Sequence, residues 1–143
     1  MSQPTETRWE FDHLSIDAAS GDPGLGALAK LLCLVPGERP PFPFPGQWLY
    51  RDGEALLHVI ETPASVTPQP VINHIAFRSN AALDAVLTTV KATGLPHRVL
   101  RIPDRAVAQI FVGVSPGLTI ELDVPLSAND APTAEYRHSG DAP

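Results

Sequence analysis

Apolar and polar residues recur along this chain with two periods, and the switches between them mark the elements. From Phe11 to Asp17 the two kinds alternate, which is the period of a half-buried strand. Leu25, Leu28, Leu31 and Leu32 then recur at helical spacing and predict a short helix over 24–35, with Asp22 as its cap and Pro23 in its first turn. The stretch from Pro36 to Gly46 is dense in proline, which forbids a helix or a central strand and leaves an extended loop or an edge segment. Gln47–Tyr50 and Glu54–Glu61 read as two strands joined at Arg51-Asp52-Gly53, where Asp-Gly signals a hairpin. A linker, Thr62–Pro70, carries prolines at 63, 68 and 70. Val71–Arg78 is the next strand. The clearest helix is Ala81–Thr93, with Leu83, Val86, Leu87 and Val90 on one face and Gly94 as its stop. His97–Ile102, Val107–Val112 and Leu118–Val124 complete the strands. One domain over 9–125 is expected. Residues 1–8 and 126–143 are polar or rich in Ala, Asp, Ser and Pro, and are expected to be loose termini, the second a tail or an arm lying on a partner.

The elements repeat. Phe11-Asp12-His13-Leu14-Ser15-Ile16 matches Ile72-Asn73-His74-Ile75-Ala76-Phe77 in its order of apolar, Asp/Asn, His, apolar, small and apolar residues. The two histidines lie 61 positions apart. At nearly the same offset, the strand around His58 matches the strand around Glu121. Two modules, about 9–62 and 71–125, follow from this, each beginning and ending on a strand that carries a polar anchor. Side chains alternate faces along a strand. His13 therefore shares a face with Ser15 and Asp17, His74 with Ala76 and Arg78, and Glu121 with Thr119 and Asp123. The opposite faces are apolar and can lie under a helix. The strand of His58 is ambiguous, because Leu56 and Ile60 share its face.

Composition narrows the function classes. With 43% hydrophobic and 18% charged residues, the chain reads as globular. A net charge of −6 argues against nucleic-acid and anionic-membrane partners. The single cysteine, Cys33, lies in an apolar run and reads as a small buried hydrophobe. One cysteine allows no intrachain disulfide, the start of the chain shows no signal peptide, and no apolar run is long enough to span a membrane, so a cytoplasmic location is expected.

On the His13, His58, His74 and Glu121 strands, above all Asn73-His74-Ile75-Ala76 and Ile120-Glu121-Leu122, the chain resembles the vicinal-oxygen-chelate superfamily of glyoxalases, epimerases, bleomycin-resistance proteins and extradiol dioxygenases. The resemblance covers roughly Phe11 to Val124. It implies an α+β fold in which two βαβββ modules form a cup-shaped mixed sheet with a metal at the bottom. Carried over by position, the implied ligands are His13, His58, His74 and Glu121. His58 stands where glyoxalases of this family usually carry a glutamate, so it is either a fourth ligand or a base beside the metal. Two or three imidazoles with one carboxylate suit one divalent transition ion per site: Zn, Fe, Mn, Ni or Co. Trp48, Tyr50 and Gln109 are candidates for the pocket wall, and Phe42 and Phe44 for its mouth. Arg98, Arg101 and Arg105 lie close together. Their ordinary reading is a solvated face; the alternative is capture of a substrate carboxylate or phosphate.

The implied activity is metal-dependent proton transfer, of isomerase, lyase or epimerase type, on a small substrate that chelates the ion through neighbouring oxygens. Glu121 and His58 are the candidate proton-transfer groups. Ring cleavage by an Fe(II) dioxygenase and metal-free drug sequestration, as in bleomycin resistance, are the alternatives. The proline-bearing linker suggests that one module cannot fold straight back on the other. The resemblance adds a common pairing of modules between chains, so a homodimer is expected whose sites take His13 and His58 from one chain and His74 and Glu121 from the other.

Overall fold

The computed structural model describes residues 6–130 and 133–137. Its elements are β1 (Glu10–Ala18), α1 (Pro23–Leu31), β2 (Val35–Gly37), β3 (Gly46–Arg51), β4 (Glu54–Glu61), β5 (Val71–Arg78), α2 (Leu83–Ala92), β6 (His97–Arg101), β7 (Val107–Ser115), β8 (Leu118–Pro125) and β9 (Ala134–Glu135). Each half therefore runs βαβββ, and all the strands join one mixed sheet in the order β2-β3-β4-β1-β5-β8-β7-β6-β9. None of the helices of the described residues is long and apolar enough to cross a membrane.

Strand parity divides the sheet into two faces. In the first module Ile16, Leu57, Val59 and Leu49 turn outward and pack with Leu25 of α1. In the second, Ala108, Ile110, Val112 and Val124 pack against Leu83, Val86 and Val90 of α2. Each module thus buries its apolar face under its own helix, while the opposite face of the strands is free to carry polar side chains. Within a module the first and last strands are parallel neighbours, β1 with β4 and β5 with β8. Between modules, β1 and β5 run antiparallel and join the two halves at the middle of the sheet.

That join brings the two modules side by side within one chain. The linker does not hold the modules apart. Val66 and Thr67 both donate their N–H to the Pro63 carbonyl, at 2.9 Å each, so the chain turns sharply, and Thr67 is buried. The prolines at 63, 68 and 70 flank or open this turn instead of extending it. The second module folds back beside the first, and the cup closes within one chain.

The proline-dense stretch opens with β2, an edge strand paired to β3, which is the edge segment the sequence allowed. Three smaller expectations change. The segment after 125 is not wholly loose, because β9 adds to the β6 edge; His138 lies outside the described residues. Helix α1 stops at Leu31, short of the predicted end at 35, so Leu31 and Leu32 are exposed and only Leu25 is buried. The stop is a Schellman turn: Leu34 donates to the Ala29 carbonyl and Cys33 to the Lys30 carbonyl. Cys33 occupies the left-handed position at φ 56° and is exposed, not buried. A residue with a Cβ pays about 1 kcal/mol or more there, whereas glycine does not. Cys33→Gly is expected to raise unfolding stability by about 0.5–1 kcal/mol, measured by urea denaturation with an unchanged m-value; an unchanged or lower midpoint would contradict the strained-cap account.

Candidate metal centre

The β1–β5 pairing sets the site. Ser15 lies opposite His74, and His13 opposite Ala76, so both histidines project from the inner face near the centre of the sheet. The parallel register of β5 with β8 places Glu121 beside Ala76. His13, His74 and Glu121 are all buried, at 2%, 3% and 1% exposure, and each offers a ligand atom within 4.8 Å of the others. The two Nε2 atoms are 3.4 Å apart. Glu121 Oε1 is 2.9 Å from His74 Nε2, and Oε2 is 3.7 Å from His13 Nε2.

The outer nitrogens of both rings are already engaged. His13 Nδ1 is 2.6 Å from Asp12 Oδ2, and His74 Nδ1 is 2.7 Å from Asn73 Oδ1. The Asn73 amide cannot turn over, because its Nδ2 donates to both oxygens of Asp17. Donation of the Nδ1 hydrogens outward leaves Nε2 of each ring facing the cluster, where a neutral ring presents its lone pair. Two such lone pairs and a carboxylate favour a cation between them. Glu121 Oε2 has no hydrogen-bond partner despite its burial, a cost that a ligand would remove. These residues fit a divalent transition ion bound through two imidazoles and a carboxylate.

Electrostatics agree. Burial pushes the Glu121 carboxyl up, but its closeness to His13 and His74 outweighs this and holds the group well below the usual carboxylate range. Burial raises Asp123 well above that range, and the charge of Glu121 adds to the rise. Burial likewise opposes the lowering of Asp12, which its bond to His13 and its contact with Arg78 bring about.

His58 does not join the cluster. It is half-buried and stacks on His13 with ring centroids 3.5 Å apart and planes at 16°. On its other side it stacks on Trp48 at 3.9 Å and 12°. An ion in the plane of the His13 ring cannot also lie in the plane of a ring stacked on it, so the expectation of a fourth ligand is corrected. Burial first, and then the neighbouring His13, hold His58 well below the usual histidine range, so it is a neutral imidazole in the wall.

Of the pocket candidates, Trp48, Tyr50 and Gln109 line a cavity of about 490 Å3 that opens in front of His13 and His58. Arg101 does not. It is exposed and donates its Nε to the Arg105 carbonyl, because its strand position faces away from the cup. Phe42 and Phe44 stack at 5.1 Å and meet Tyr136 over the buried end of the site. Tyr136 also donates to Gln109 Oε1 at 2.7 Å. Sequence reasoning missed Tyr136, which lies in the segment read as a tail, as well as Asp12 and Asp123. Both acids stand within two residues of a ligand, and the matched Asp/Asn before each histidine was the available signal for Asp12.

The fold is the glyoxalase/bleomycin-resistance/dioxygenase fold, shared with solved structures at low sequence identity. It is similar to methylmalonyl-CoA epimerase from Mycobacterium tuberculosis, at TM-score 0.57 and 19% identity over 82% of this chain and 88% of that one. It is also similar to homoprotocatechuate 2,3-dioxygenase from Arthrobacter globiformis, at TM-score 0.59 and 13% identity over 82% of this chain and 36% of that one. No family model matches the sequence, and no curated protein matches it by sequence.

Two predictions follow from the geometry. His74→Ala and Glu121→Gln should each abolish stoichiometric transition-metal binding, read by elemental analysis after reconstitution with Zn²⁺, Mn²⁺ or Fe²⁺; retention of one ion per chain by either variant would refute the triad. His58→Ala should keep the stoichiometry and lose only about 10–100-fold in affinity, as befits a neighbour that orients His13. Loss of the ion altogether would restore His58 as a ligand.

Proposed function

We propose that this protein is a divalent-metal-dependent enzyme acting on a small substrate that offers the ion two neighbouring oxygens, with proton transfer of the isomerase, epimerase or lyase kind. The observation that carries this reading is the buried His13–His74–Glu121 cluster, whose inward lone pairs and orphaned Oε2 have no use without a cation. His13 and His74 would hold the ion through Nε2, and Glu121 through a carboxylate oxygen. A bound ion supplies Lewis-acid polarisation of the substrate oxygens.

The chain's own residues divide the remaining work. Asp12 and Asn73 keep the two rings turned toward the cluster. Of the two candidate proton carriers, His58 borders the open cavity, whereas Glu121 does not and already engages His74. His58 is therefore the group within reach of a substrate: its ring is neutral and accepts a proton as a base weakened by its burial. Gln109 and Trp48 bound the space on two sides. A second reading, ring cleavage with Fe²⁺, draws support from the two-histidine, one-carboxylate set and from the likeness to a dioxygenase. Metal-free sequestration gives no reason to bury such a set.

One chain brings the whole cluster together, which supports a site complete within each chain. Mixing His13→Ala with Glu121→Ala chains under conditions of proven subunit exchange should restore neither metal binding nor activity. Recovery of either would show that ligands are shared between chains after all.

A further inference from the structure

The cavity in front of His13 and His58 is lined by three carboxyl groups and two guanidiniums, and all but one of these are accounted for. Asp12 is bonded to His13 and lies 3.2 Å from Arg78. Arg78 also meets Glu10 at 3.4 Å and Glu54 at 3.8 Å. Asp123 is buried against Glu121, which favours its neutral form. The remaining group is Arg105. Among the described residues its guanidinium has no ion pair and no hydrogen bond; it sits over the Trp48 ring, 5.2 Å from the centroid.

Its placement is not accidental to the turn that carries it. The Arg105 N–H donates to the Ile102 carbonyl, its own carbonyl accepts from Arg101, and Asp104 adopts φ 61°. The second module thereby reaches across the cup mouth to the first. A guanidinium over a ring face keeps its in-plane N–H fork available. Beneath it the rings of Trp48, His58 and His13 form one column, with centroid spacings of 3.9 and 3.5 Å. The cation thus stands at one end of a stack whose other end is a metal-ligating imidazole.

We propose that Arg105 is the anion receptor of this cavity and that the substrate is a small acid, which presents its chelating oxygens to the cluster and a carboxylate, on an arm spanning the column, to the Arg105 fork. The inference rests on the proposed chelation at His13, His74 and Glu121. It assigns the carboxylate role to Arg105 alone among the three neighbouring arginines, since Arg101 faces away from the cup and Arg98 lies over Phe111, outside the cavity lining. A carboxylate matches the planar fork with two parallel hydrogen bonds.

The test uses the full chain reconstituted with Co²⁺, with visible absorption as the readout. The probes are catechol and dihydroxyphenylpropanoate, which carries the same chelating head with a carboxylate on a two-carbon arm. The wild type should bind the acid about 10-fold or more tightly than catechol. Arg105→Gln should abolish that preference while leaving catechol affinity within about twofold, and Arg105→Lys should restore part of it. Equal binding of the two probes by the wild type would overturn the proposal while leaving the chelation reading intact. So would a parallel loss for both probes in Arg105→Gln, which would make the residue a structural clasp. If neither probe perturbs the cobalt spectrum, chelation itself fails and the inference falls with it.

Discussion

The antiparallel pairing of β1 with β5 is the constraint on which the rest depends. Side-chain parity along a strand is fixed, so one register decides which faces meet. Here Ser15 opposite His74 and His13 opposite Ala76 put two imidazoles on the inner face with Nε2 atoms 3.4 Å apart. A slip of one residue between the two strands would turn one of the rings outward into a helix-covered layer. The pairing carries irregularities between Phe11 and His13 and between Ser15 and Ile16. At the first, Phe11 is paired with Phe77, their rings 6.4 Å apart, and Asp12 lies beside His13. A bulge of this kind re-aims side chains without ending the ladder.

The two modules are alike in backbone and unlike in chemistry. His58 stands beside Ser15 across β1–β4 as Glu121 stands beside Ala76 across β5–β8. The register is therefore equivalent, yet only Glu121 reaches the cluster. Its flexible carboxylate can bend toward both Nε2 atoms, whereas the ring of His58 is held between two other rings. Trp48 is opposite His58 on β3, and the stack of Trp48, His58 and His13 follows the strand-to-strand spacing of the sheet. The asymmetry gives the cup one wall that carries the His13–His74–Glu121 cluster and one wall of stacked aromatic groups, with the open cavity bordering the second.

Much of this was legible in the chain. Strand parity placed His13, His74 and Glu121 on polar faces, and the matched Phe11–Ile16 and Ile72–Phe77 segments announced the two modules. Helix α2 was equally plain, because Leu83, Val86 and Val90 repeat at one spacing and Gly94 follows. What stayed hidden depends on long-range geometry. The ring orientation of His58 is set by Trp48 and His13, from two other strands. The linker was misread because proline stiffness says nothing of the turn that Pro63 closes with Val66 and Thr67. The end of α1 was misread because Cys33 does the work expected of a glycine, and apolar spacing at Leu31 and Leu32 continued past the true stop.

The separation of faces also explains why fold and reaction part company in this architecture. The outward residues, such as Ile16, Val59, Ile110 and Val124, pack under the helices and carry the stability of each module. Inward residues contribute little to that packing and can change without disturbing it. A sheet of this kind can therefore keep its shape while its inner face is rewritten, which is consistent with likeness to an epimerase and to a dioxygenase at 19% and 13% identity. Shape alone then carries no substrate. The discriminating features are the polar side chains of the inner face and the loops around its mouth: the tautomers imposed by Asp12 and Asn73, the imidazole wall at His58, and the charge of the arm that closes over Trp48.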